Sequence, residues 1–182
     1  MVLRLYNAIN GQPPPESGAI FLCVKQLGVY LNDHLAGSVA AIELLDHLIN
    51  EQSAQRLEKF LVDLRDDINS DQEVLRDLIQ KLDLGESAVR KAGAWLAEKF
   101  GEVKVLLGGN EIDGLGLLQA LEVLALGICG KELLWRALQT VEANISQLQG
   151  IDLEGLEQRA REQFERVEEE RLHLAREALA AP

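Results

Sequence analysis

Glu43 and His47 are four residues apart, and Glu58 and Glu122 fall in later segments of a 182-residue chain. Carboxylate and imidazole together are transition-metal ligands. A spacing of four puts Glu43 and His47 on one face of a helix, where both could reach one ion. A carboxylate-bridged metal pair in a helical bundle needs a Glu from each of two helices and a Glu-x-x-His pair from each of the other two. The second long segment does not meet that pattern, because Glu58 is followed three residues later by Leu61 and Glu73 by Arg76. Glu170-Arg171-Leu172-His173 has the spacing, but it lies in the glutamate-rich run from Glu162 to Glu170, which reads as a solvated face. The candidate metal set is therefore Glu43, His47, Glu58 and Glu122, too few side chains for two ions.

Glu122 falls on the stripe Leu115, Leu118, Leu126, Cys129, Leu133, which is expected to face the core. A carboxylate there needs a partner: a metal shared with Glu43, or an ion pair with Arg171 or Arg176. The arginines are present and the remaining ligands are not, so the ion pair is expected. A second polar set comprises His34, Asp71, Lys131 and Arg171, with His34 expected to hydrogen-bond to Asp71. Asp71 interrupts a leucine seam, a device that can set helix register. Gly127 and Gly130 would let a neighbouring helix approach closely. No phosphate-binding glycine loop, nucleophile elbow or Cys-His arrangement is present.

The elements that position these residues are read from apolar spacing. Leu57, Leu61, Leu64, Ile68, Asp71, Leu75, Leu78 and Leu82 alternate steps of four and three, which predicts one helix from Ala54 to Leu82 with Ser53 as its cap. Ile20, Val24, Leu27, Leu31, Leu35, Ile42, Leu45 and Ile49 predict an earlier helix, with a break near Gly28 separating a leader helix from a main stretch at Leu31–Glu51. Glu86–Phe100 reads as a connecting helix and 101–109 as a glycine-bounded loop. A third long helix is expected from Asp113 to about Asn144, and a fourth, capped by Asp152, to Leu179. Residues 1–18, with Pro13, Pro14 and Pro15, read as a flexible leader, and 19–182 as one domain.

Turns near Gln52 and near Gln149-Gly150 make two antiparallel hairpins, and the long connection leaves the second and third helices parallel. The predicted fold is all-α: a four-helix bundle with one long crossover connection and an extra connecting helix. Each helix rises about 1.5 Å per residue, so residues equidistant from a turn are level. That places Glu43 near Glu58 or Leu61, Glu122 near Arg176, and Lys131 near Val167 and Glu168.

Thirty acidic against 18 basic residues give a formal charge of −12, which repels phosphate backbones and anionic lipid. Nucleic acid and membrane partners are not expected. The most apolar run, Gly114 to Gly130, is shorter than the roughly 20 residues of a membrane span and contains Glu122. Cys23 and Cys129 sit in apolar runs and read as buried thiols. With no signal-peptide core at the start of the chain, a cytoplasmic location is expected.

The stretches Tyr30-Leu31-Asn32-Asp33-His34-Leu35-Ala36-Gly37, Ala94-Trp95-Leu96-Ala97-Glu98-Lys99, and Leu126-Gly127-Ile128-Cys129-Gly130-Lys131 with Leu134-Trp135-Arg136 resemble a group of uncharacterised bacterial proteins of the ferritin-like superfamily. The resemblance covers about Val29 to Leu179. It implies the bundle fold and no particular substrate. Intact members of the superfamily bind iron or manganese and use oxygen or peroxide. The second helix here departs from their ligand pattern and the fourth matches it in part. The expectation is a bundle without an intact di-iron site and without a cofactor, acting by binding a protein or a small apolar ligand. The rival reading is a metal-dependent oxidoreductase using iron or manganese. Self-association into a homo-oligomer is compatible with either.

Overall fold

The computed structural model describes residues 16–51, 55–82 and 114–180, with side chains described from Lys25 in the first stretch and from Arg56 in the second. Four long helices account for most of them: α1 (Glu16–Glu51), α2 (Gln55–Lys81), α3 (Gly114–Gln139) and α4 (Leu153–Leu179). Two short 3-10 turns, at 142–144 and 146–148, join α3 to α4. The expected connecting helix Glu86–Phe100, the loop at 101–109, the Ser53 cap and most of the leader lie outside the described residues.

α1 is one helix and does not break at Gly28. Its backbone stays helical there, and the Asn32 side chain donates to the Gly28 carbonyl at 2.7 Å. A mid-helix glycine costs only about 1 kcal/mol, which is less than burying Leu31 nearby contributes. Residues 16–18, read as leader, belong to this helix. α2 runs unbroken through Asn69-Ser70-Asp71, because its apolar seam never slips. α4 starts as its sequence signals, with Asp152 accepting from the Gly155 backbone N–H at 2.9 Å. α3 ends at Gln139, five residues short of expectation, and the following turn includes Gly150 at φ +82°, a left-handed conformation suited to glycine.

The core divides into two apolar clusters. One gathers Leu44, Leu45 and Leu48 of α1, Leu57 to Ile68 of α2, Leu117 to Ile128 of α3, and Val167 and Leu174 of α4. The other gathers Leu31, Leu75 to Leu82, Leu134 to Leu138, and Leu148 to Ala160. The late half of α1 thus shares an end with the early halves of α2 and α3 and the late half of α4. α2 and α3 therefore run parallel, and each of the other sequential pairs is antiparallel, as the long connection requires.

α3 turns a different face inward from the one its sequence suggested. Leu117, Leu121, Leu124, Ile128, Trp135 and Leu138 are buried, whereas Leu115, Leu126 and Leu133 of the expected stripe are exposed and only its Leu118 is buried. Both stripes have heptad-like spacing on a helix that is apolar nearly all round, so periodicity alone does not select between them. Among the described residues no helix is long and apolar enough to cross a membrane.

Candidate functional site

Between the two clusters every helix contributes polar or small residues at one level. On α2, Asp71 and Gln72 fall between Ile68 and Leu75; on α4, Gln163 falls between Ala160 and Val167; on α3, Lys131 falls between Ile128 and Leu134. α1 supplies Gly37, Ser38 and Ala41. Asp71 is 2% exposed and carries the layer. Its Oδ2 accepts from Lys131 Nζ at 2.7 Å and from Gln163 Nε2 at 3.1 Å. Arg159 Nη2 lies 2.6 Å from Oδ1, close in charge but not aligned as a hydrogen bond. Lys131 also donates to Gln163 Oε1. Gln72 Nε2 donates to Ser38 Oγ at 2.8 Å, and Ser38 in turn donates to the Leu35 carbonyl.

Burial outweighs the attraction of Asp71 and holds the Lys131 ammonium below its usual pKa. A proton on Lys131 still matches the geometry, since both of its assigned bonds are donations.

The small residues of the layer leave a cavity of about 210 Å³ between α1, α2 and α3. Its polar lining includes His34, Asp71 and Lys131, and its apolar walls are Ile68, Leu75, Leu124, Ile128, Leu134 and Trp135. Gly37, Gly127 and Gly130 also line it, the first two exposed, and a Cβ added at any of the three would meet none of the described residues within 4 Å. Gly127 and Gly130, expected to admit a neighbouring helix, meet none among the described residues. They leave the space open. Trp135 is 1% exposed, and among the described residues its indole Nε1 has no hydrogen-bond acceptor. His34 stacks edge-on against Tyr30 at 4.7 Å, and burial lowers its pKa against the opposing charge of Asp33.

Three of the four residues expected in the polar layer, His34, Asp71 and Lys131, line this cavity, although Asp71 takes its bonds from Lys131, Gln163 and Arg159 and not from His34. Arg171 does not join them. It forks onto Glu168 at 2.7 and 2.8 Å and reaches Glu122 at 3.4 Å. The reason is the connection between α3 and α4. With α3 stopping at Gln139 and α4 starting at Leu153, the hairpin pivots near position 146 and not at Gln149. Every expected cross-pair slides by about one helical turn, so Lys131 meets Gln163 and Glu122 meets Arg171.

The metal candidates do not converge. Glu43, Glu58 and Glu122 are exposed and His47 is half-buried. Among the described residues no three His, Cys, Asp or Glu side chains gather where an ion could be held. Glu122, the expected central carboxylate, is half exposed and paired with Arg171. In the Glu170-x-x-His173 pair, Glu170 is buried, contrary to a solvated reading, and pairs with Arg56 at 2.7 Å. His173 is exposed beside Glu177. Cys129 is a half-buried free thiol, its pKa raised by burial and then by Glu132; the Cys23 side chain lies outside the described residues.

No protein-family model, curated protein or solved structure matches the chain.

Sequence reasoning missed Arg159, Gln163, Gln72 and Trp135. A signal existed for one of them: Leu153, Leu156, Ala160, Gln163, Val167, Glu170 and Leu174 step by three and four, marking Gln163 as a seam residue. Arg159 lies off that seam and reaches Asp71 only through the length of its side chain.

Proposed function

We propose that this protein is a helical bundle that binds a small, largely apolar molecule in the cavity between α1, α2 and α3. One observation carries the reading: three glycines inside helices line the cavity, and among the described residues no neighbour takes the place of their missing side chains. Helix-interior glycine is destabilising by roughly 0.5–1 kcal/mol relative to alanine, so the open space comes at a thermodynamic loss that packing does not recover. Mostly apolar walls with a few convergent polar groups are the usual composition of a small-molecule site. The parallel course of α2 and α3 supports a ferritin-like topology, with the polar layer at the level where a bundle holds its ligand.

The test is titration of the isotope-labelled full chain with toluene and related small aromatics, followed by amide and indole resonances. Saturable shifts at Gly127, Gly130 and Trp135 are the expected result. Shifts absent from those positions and confined to the exposed leucines of α3 would defeat the reading.

A further inference from the structure

Building on the binding role proposed above, we infer that Lys131 holds a compact apolar aldehyde covalently, as a protonated Schiff base between Nζ and the carbonyl carbon, with Asp71 as its counter-ion. Among the described residues that line the cavity, Lys131 is the one primary amine. The half-buried thiol of α3, Cys129, does not line it. Ser38 does, but its hydroxyl donates to the Leu35 carbonyl and accepts from Gln72. Lys131 keeps 14% of its side chain exposed, and its neighbours on the lining, Leu124, Ile128 and Leu134, are aliphatic. A lysine amine becomes a nucleophile toward carbonyls when an apolar pocket strips it of water. Burial has that effect on Lys131, with Arg159 acting in the same direction and Asp71 and Asp67 opposing it. Asp33 and His34 of α1 share the lining.

The bonds of Nζ leave one position for the new bond. Two of its N–H bonds are directed at Asp71 Oδ2 and Gln163 Oε1, and the third has no assigned acceptor among the described residues. That third proton leaves to water, and the lone pair it uncovers attacks the carbonyl carbon. The carbonyl π electrons pass to the oxygen, which takes the proton that Nζ had shared with Gln163, giving a carbinolamine. The nitrogen lone pair then forms the C=N bond as the hydroxyl, protonated from water, departs as water. One ammonium and one aldehyde thus become one iminium and one water, so the charge of the layer does not change. The remaining N–H is the one that Asp71 accepts. The carboxylates placed about Lys131, with Asp71 at 2.7 Å and Asp67 within electrostatic reach, therefore balance the iminium as they balance the ammonium.

Size limits the body of the ligand. A dry cavity of roughly 150 Å³ accommodates benzene, so about 210 Å³ takes a six-membered ring or short branched chain with one formyl group. Ile68, Leu75, Leu124, Ile128 and Leu134 offer such a body no hydrogen-bonding group, which disfavours the aldehydes of sugars. Crowding favours an aldehyde over a ketone. Nζ already has Asp71 and Gln163 against it, and an aldehyde carbon brings only a hydrogen as its second substituent.

The experiment incubates the full chain at pH 7 with benzaldehyde and cyanoborohydride, which reduces an iminium to a stable secondary amine. The benzyl adduct on each lysine is then followed over time by peptide mass spectrometry. Lys59, exposed on α2, is the internal reference. The expected result is labelling of Lys131 at least about tenfold faster than Lys59, the gain that about 1.4 kcal/mol of added preference for the neutral amine gives. Toluene, which has the same ring and no carbonyl, should slow labelling of Lys131 and leave Lys59 unchanged. Labelling of Lys131 no faster than Lys59, in a chain whose cavity resonances shift with toluene, would overturn the Schiff base and leave the binding role standing. Fast labelling that toluene does not slow would place the reaction outside the cavity and overturn the inference. Failure of toluene to shift any cavity resonance would overturn the binding role itself, and the inference with it.

Discussion

Asp71 is the residue on which the polar layer depends. A carboxylate at 2% exposure is tolerable only because an ammonium, an amide and a guanidinium surround it. Replacing it by alanine removes the carboxylate bonded to the buried Lys131 and leaves only the weaker attraction of Asp67, and Asp71→Ala is expected to lower stability by about 3–5 kcal/mol in urea unfolding. The double variant Asp71→Leu, Lys131→Met, which removes both charges, should recover most of that loss. A double variant no more stable than Asp71→Ala would show that the charges matter less than the shape of the layer. His34 acts in another way. Its folded pKa lies below the ordinary 6.5, chiefly through burial, so the unfolded chain binds the proton more readily. The stability it contributes is therefore complete above pH 6.5 and is lost as pH falls through the folded value. The difference in stability between the wild type and His34→Gln should shrink as pH falls from 7 to 5, and a constant difference would count against this coupling.

Within the elements, the helices differ in how strongly their sequences determine the face they bury. α2 has a single apolar seam on a polar helix, so its register is set before any packing occurs. α4 is similar, and its two buried polar seam residues, Gln163 and Glu170, are each met by a partner from another helix, Lys131 and Arg56. α3 is apolar on most sides and is placed by what it meets. Its glycines separate stability from binding in a testable way. Because a Cβ at Gly127 meets none of the described residues within 4 Å, Gly127→Ala is expected to raise stability by about 0.5–1 kcal/mol through helix propensity. The same methyl group narrows the cavity, so small aromatic probes should bind more weakly. A variant neither more stable nor weaker in binding would remove glycine from the argument.

At the scale of the whole molecule, the arrangement of ends is the property most open to direct test. The two apolar clusters place the start of α2 with the start of α3 and the end of α4. Lys59 is exposed near the start of α2. A spin label at Lys59→Cys, with Cys23 and Cys129 changed to serine, should broaden the amides around Leu117–Leu121 and Leu174 and spare Leu134–Leu138. Broadening of Leu134–Leu138 instead would mean that α2 and α3 are antiparallel. The polar layer between the clusters also gives the bundle one level at which all four helices must agree in height, because sliding any of them by a turn would strand Asp71 or Lys131 against an apolar neighbour.

The sequence by itself determined the four helices, the continuity of α2, the cap of α4, and the lack of the second Glu-x-x-His pair that a di-iron site needs. Each follows from local chemistry, such as spacing, a capping side chain or the residue type at a given offset. It also singled out His34, Asp71 and Lys131, since charged or polar residues among leucines stand out without a structure. The tertiary structure decided the rest. It chose Lys131 over Glu122 as the buried charge of α3, because both lie on apolar stripes of similar spacing and only the packing of α1, α2 and α4 selects one. It replaced Arg171 by Arg159 and Gln163, because the 3-10 turns after Gln139 move the pivot of the hairpin and slide every cross-pair by about a turn. The cavity was illegible for the same reason. Gly37, Gly127 and Gly130 in sequence mean only small residues, and whether they admit a helix or leave a void depends on the separation of helices that distant parts of the chain hold in place.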